Sequence, residues 1–181
     1  EIPDDFKIQT VNEDEIFDPE FREELKTRFQ HRYGWVLQQL LTTKLVFNSS
    51  ARGVLVVDAD TILLKPRLWL TEDGIQPLLV SVEFHSSYYK FLSTLGISKL
   101  VPADTHVTHH MLMQPQVMRE IFQRCSIEDV ETLGRYAIEA RGLDKDSPVC
   151  LEYEVYAQGM VQFFPERVRK LRFSNTGVAV N

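Results

Sequence analysis

Only two cysteines occur in the 181 residues, Cys125 and Cys150, with no CxxC pair and no metal-ligand spacing. Two unlinked thiols exclude a disulfide scaffold and point to a reducing compartment, so a cytoplasmic protein is expected. No apolar run approaches the roughly 20 residues that a membrane helix needs, and no signal-peptide pattern opens the chain. Basic residues are also in short supply. Lys and Arg total 20 against 26 Asp and Glu, for a net charge of −6. The electrostatic footprint of a nucleic-acid binder is therefore missing, and an anionic membrane surface would repel the chain. No internal repeat, low-complexity tract or long linker divides the sequence, so residues 1–181 read as one domain. The chain opens at Glu1 without methionine, as a segment of a longer protein would.

What remains is ordinary globular composition, 44% hydrophobic and 25% charged, at a length that buries about 70% of the unfolded surface without staples. Residues 6–11 read as a short strand. Asp18-Pro19 starts a helix, with an N-cap carboxylate and proline at the first helical position. Phe21, Leu25 and Phe29 share one of its faces, and Gly34 is expected to interrupt it. Leu37, Leu40, Leu41 and Leu45 then recur at helical spacing over 35–47. The run Gly53-Val54-Leu55-Val56-Val57 is apolar on both faces, which predicts a central strand of an α/β sheet. Further strands are predicted over 78–84, 107–113 and 167–173. Helices are predicted from Pro115, from a Ser126/Asp129 capping box to Gly142, and over 152–161. Alternating elements of this kind predict a layered α/β fold with a largely parallel or mixed sheet flanked by helices.

The chemistry concentrates at Asp58-Ala59-Asp60, where the apolar strand ends. Ligands of open α/β sheets sit beyond the carboxyl ends of central strands. Two carboxylates there are costly to bury unpaired and attract a hard divalent cation such as Mg²⁺ or Mn²⁺, which bridges to phosphate oxygens. The plainer alternative has one Asp capping a turn and the other solvated.

Four of the five histidines, His85, His106, His109 and His110, fall within 26 residues. In a strand His109 and His110 point to opposite faces, so one of them enters a cleft readily, while Glu83 and His85 share a face. Glu152 and Glu154 are candidates for taking a proton from an attacking hydroxyl. Two positions apart on a helix they diverge by about 200°, and Glu152, at the helix start, is the favoured one. A solvated acidic helix N-terminus is the competing reading of the pair. Arg167, Arg169, Lys170 and Arg172 form a basic cluster that could hold a diphosphate. Trp69, Tyr88 and Tyr89 could stack on a sugar or base, or belong to the core.

VLVVDADTILLKP resembles the strand end and Asp-x-Asp motif of GT-A type glycosyltransferases, especially glycogenin-like and galactosyltransferase-like members. The ordered blocks GWVLQQLL, VVDADTILLKP, VTHHMLMQP and EYEVYAQG resemble a group of uncharacterised bacterial glycosyltransferase-like proteins over residues 35–159. The resemblance implies a metal-dependent transfer of sugar from a nucleotide-diphosphate donor to a hydroxyl acceptor. In that reading Asp60 binds Mn²⁺ or Mg²⁺ directly and Asp58 faces the ribose or reaches the metal through water. Ala59, His109 or His110 complete the cofactor site, and Glu152 or Glu154 serves as base. The GT-A unit that normally binds the nucleobase, a first strand and helix, is not found before Asp58. Haloacid-dehalogenase-like phosphatases use Asp-x-Asp-x-Thr, but here Thr61 follows Asp60 directly and Ile62 stands where that Thr belongs. A non-catalytic nucleotide-sugar-binding module is the third alternative.

Overall fold

The computed structural model describes residues 9–63, 65–98, 101, 104–141 and 149–172. Local punctuation sets the first helices. Asp18 accepts from the Glu20 amide and Pro19 opens α1 (Pro19–Phe29), which buries Phe21, Leu25 and Phe29. The break comes before Gly34. Gln30 takes φ +48°, a 3-10 turn covers Gln30–Arg32, and α2 (Tyr33–Asn48) runs straight through Gly34.

Two small sheets form among the described residues. β1 (Val54–Val57) pairs antiparallel with β3 (His110–Met113), Val57 lying opposite His110. β2 (Gln76–Val80) pairs parallel with β4 (Val168–Arg172). The expectation of one layered sheet with β1 buried at its centre is therefore corrected to a mixed α/β arrangement with two two-stranded sheets. β1 is half-buried and Val57 is 38% exposed, because β3 is its only ladder partner among the described residues. A buried polar network laces the sheets together. Gln76, with no exposed surface, donates to Leu112 O and accepts at Oε1 from Gln114 Nε2 and the Tyr156 hydroxyl.

The helices form the bulk of the core. After α3 (Ser86–Thr94), α4 (Pro115–Arg124) begins at the predicted proline. α5 (Val130–Arg141) is capped by Asp129 and not by Ser126. Asp129 Oδ1 accepts from both the amide and the hydroxyl of Thr132, whereas Ser126 sits at φ +56° in the preceding turn. The Gly142 stop lies outside the described residues, as does most of the strand expected over 6–11; residues 9–11 are irregular. α6 (Tyr153–Phe163) is buried along nine consecutive residues. It presses on α4 so closely that a methyl on Gly159 would meet Ile121 Cγ2 at 2.8 Å. No helix among the described residues is long and apolar enough to cross a membrane.

A carboxylate cluster at the end of strand β1

Asp58 is the first residue beyond β1, and two backbone bonds fix the turn that follows it. Its amide donates to His109 O, and its own carbonyl accepts from the Thr61 amide. Both carboxylate oxygens are engaged. Oδ1 accepts from the Tyr153 hydroxyl at 3.0 Å, and Oδ2 lies 3.0 Å from His109 Nδ1. A carboxylate can only accept, so Nδ1 carries the proton toward Asp58 and Nε2 is the ring nitrogen not engaged by it. The His109 side chain is 40% exposed, and its Nε2 makes no hydrogen bond among the described residues. His109 itself adopts φ +60°, a left-handed conformation that a non-glycine residue takes rarely and that clusters at functional sites.

Asp60 stands two residues on, exposed in the turn with Ala59, and its carboxylate makes no hydrogen bond among the described residues. His110 enters the strand and is buried. Its ring meets Trp69 edge-on at 5.5 Å, and Arg67 Nη1 lies 3.4 Å from Nε2. Burial, and then the Arg67 charge, push its pKa down, so it is neutral at pH 7. The two histidines do diverge, but not by the strand alternation expected, because His109 lies before β3 in a left-handed conformation and only His110 is in the strand. His109 reaches Asp58, and His110 is turned to Arg67 and Trp69.

The two glutamates part company just as clearly. Glu152 precedes α6, 7% exposed, with Oε2 buried and without a hydrogen-bond partner. Desolvation, and then repulsion from Asp58, push its pKa up to about 8, opposed by a hydrogen bond with Thr42. Glu154 is fully buried. Oε1 accepts from the His106 amide and the Tyr89 hydroxyl, and Oε2 from Gln158 Nε2. Those bonds tie α3 and the 105–108 segment to α6, an architectural task that occupies both Glu154 oxygens. Of the two candidate bases, Glu152 alone carries an unpaired oxygen beside Asp58.

The remaining candidates disperse. His106 is a core residue that donates from Nδ1 to Leu79 O, and burial depresses its pKa. His85 pairs with Glu83 at 3.4 Å on the surface. Lys170 is paired with Asp104, Arg167 with Gln114, and Arg169 and Arg172 are exposed on β4; none of the four touches Asp58. Tyr88 stacks on Trp35 and Tyr89 on Phe84. Next to Glu152, Cys150 is 3% exposed and its thiol is held well above its ordinary pKa, by burial first and then by Glu154.

Three contributors escaped the sequence reading: Tyr153, Arg67 and Thr42. Tyr153 lies inside the EYE block and carried a signal in its adjacency to Glu152. Arg67 and Thr42 carried none, since a lone Arg after proline and a Thr in a helix are commonplace.

Among the described residues no set of three or more His, Cys, Asp or Glu surrounds a common point. Magnesium-like ions are nevertheless often held by one or two carboxylates, with phosphate oxygens and water completing the sphere. The exposed Asp60 carboxylate and the His109 imidazole, oriented by Asp58, match that donor chemistry. No family model, curated protein or solved structure matches this chain.

Proposed function

We propose that the chain is the catalytic domain of a metal-dependent glycosyltransferase that moves sugar from a nucleotide-diphosphate donor to a hydroxyl acceptor. One observation carries the reading: at the end of β1, Asp58 holds Tyr153 and His109, beside a buried glutamate with an unpaired oxygen. Three of the four sequence blocks that carry the glycosyltransferase resemblance, VVDADTILLKP, VTHHMLMQP and EYEVYAQG, contribute these same groups. Asp60 and His109 would hold Mn²⁺ or Mg²⁺, with Asp58 behind them, and the ion would supply neutralisation of the charge growing on a departing diphosphate.

The chain's own residues account for the rest. Asp58 fixes the orientation of the His109 ring and of the Tyr153 hydroxyl. Arg67, stacked over Trp69 at 5.3 Å, presents a planar cation suited to phosphate oxygens on the same side as His110. Glu152 is the proton acceptor for the attacking hydroxyl; it works in its deprotonated form, so turnover rises as pH approaches 8.

The test is release of nucleoside diphosphate from a panel of nucleotide sugars with and without Mn²⁺, read by ³¹P NMR. The expected result is Mn²⁺-dependent turnover that falls at least about 100-fold in Asp60→Asn, the scale of losing one electrostatic stabiliser. A trapped aspartyl-phosphate on Asp58 would instead establish phosphatase chemistry. Metal-dependent nucleotide binding with no turnover at any pH would reduce the chain to a binding module.

A further inference from the structure

A cleft of about 350 Å³ opens at the other end of the strands. Its walls come from the turns before β1 (Arg52), before β2 (Glu72, Asp73) and before β4 (Arg167), and from the start of α4 (Gln116, Arg119). Asp58 follows β1 at its opposite end, so the four-residue strand separates the two sites by about 13 Å.

Three arginines converge here, and each is fixed through a single terminal nitrogen. Arg52 Nη2 donates to Thr71 O and Glu72 O, Arg119 Nη1 to Phe47 O and Ser49 O, and Arg167 Nη2 to Gln114 Oε1. Each guanidinium keeps its second terminal nitrogen and Nε without a hydrogen bond among the described residues. Glu72 and Asp73 line the same cleft, yet none of the three forms an ion pair among the described residues. The N-terminus of α4, with no side-chain cap at Gln114, adds partial positive charge at the same wall.

The geometry points to a second ligand site, distinct from the Asp58 cluster, for a small phosphorylated polyol of the sugar-phosphate class. The pre-oriented guanidinium groups take the phosphate, and the rim carboxylates of Glu72 and Asp73 accept from hydroxyls. The volume suits a small molecule of this size. The site is independent of glycosyl transfer at Asp58.

Isothermal titration of the chain with glucose 6-phosphate, glucose and inorganic phosphate tests this. Saturable binding of glucose 6-phosphate, tighter than that of either fragment, is expected. Arg52→Ala or Arg167→Ala should weaken it more than about tenfold, the loss of a charge-assisted bond, while Asp58→Asn leaves it unchanged. Loss of binding in these variants could also follow from misfolding, so a variant that gains affinity is the decisive control. Glu72→Gln/Asp73→Asn should tighten inorganic phosphate about two- to fivefold by removing nearby negative charge, and narrow the preference for the sugar phosphate. Absence of saturable binding, equal affinity for phosphate and sugar phosphate, indifference to the arginine variants, or dependence on Asp58 would each overturn the assignment.

Discussion

At the scale of single residues, the site is built from groups kept away from their preferred state. Glu152 is the clearest. In water its carboxyl would lose its proton near pH 4.5, but in the fold it does so at about 8, chiefly through burial and then through Asp58. Between those values the native chain binds a proton that the unfolded chain has released, so stability declines as pH rises through that window. The limiting slope is about 1.4 kcal/mol per pH unit, and the decline ends above pH 8. Urea unfolding of Glu152→Gln should show this slope removed, with the variant more stable than the parent at pH 8 and close to it at pH 4.5. An unchanged slope would mean that Glu152 does not hold its proton in the native chain. His109 shows a different displacement, a left-handed backbone that puts its carbonyl on the Asp58 amide and its ring on the Asp58 carboxylate.

Among the secondary-structure elements, α6 does most to assemble the site, since Tyr153 at its first position reaches Asp58 across 95 residues of sequence. Its bearing against α4 depends on a missing side chain. Gly159→Ala gains helix propensity of up to about 1 kcal/mol, yet the added methyl meets Ile121 Cγ2 at 2.8 Å. Overpacking of this kind costs about 1–3 kcal/mol. The expected outcome is a net loss near 1 kcal/mol in denaturant unfolding, absent when Gly159→Ala is made in an Ile121→Ala background that removes the clashing Cγ2; a more stable Gly159→Ala would show that the helices can part freely.

These same elements mark what sequence reading can reach. Asp18-Pro19 and Gln114-Pro115 announced their helices because capping and proline geometry act over a few residues. The burial of β1 was misjudged because an apolar run reports preference and not partners, and β1 finds only β3 among the described residues. The cap of α5 was misassigned to Ser126 because the pattern alone cannot say which of two polar residues reaches the first turn. Asp58, His109 and Glu152 were each legible singly. That Tyr153 joins them, and that Glu154 is absorbed by Tyr89, His106 and Gln158, depends on contacts distant in sequence.

For the whole molecule, the polar network of Gln76, Gln114, Tyr156 and Arg167 ties the two sheets, α4 and α6 together at the arginine-lined end, while Asp58, His109 and Tyr153 tie the β1–β3 sheet to α6 at the other. The segment 149–152 is held against α2 as well. Gln39 donates to Val149 O and accepts from the Leu151 amide. Cys150 lies between those two anchors, and that position has a kinetic consequence. A thiol so enclosed and so reluctant to ionise is invisible to a soluble disulfide reagent until the chain around it lifts away. Its labelling rate is thus an intrinsic clock for exposure of the residues that lead into Glu152 and Tyr153. Stopped-flow modification of Cys125→Ala, which leaves one thiol, should run orders of magnitude slower than that of the unfolded chain. A nucleotide sugar bound with Mn²⁺ should slow it further, and labelling as fast in the native as in the unfolded chain would show that this end of the molecule is already open.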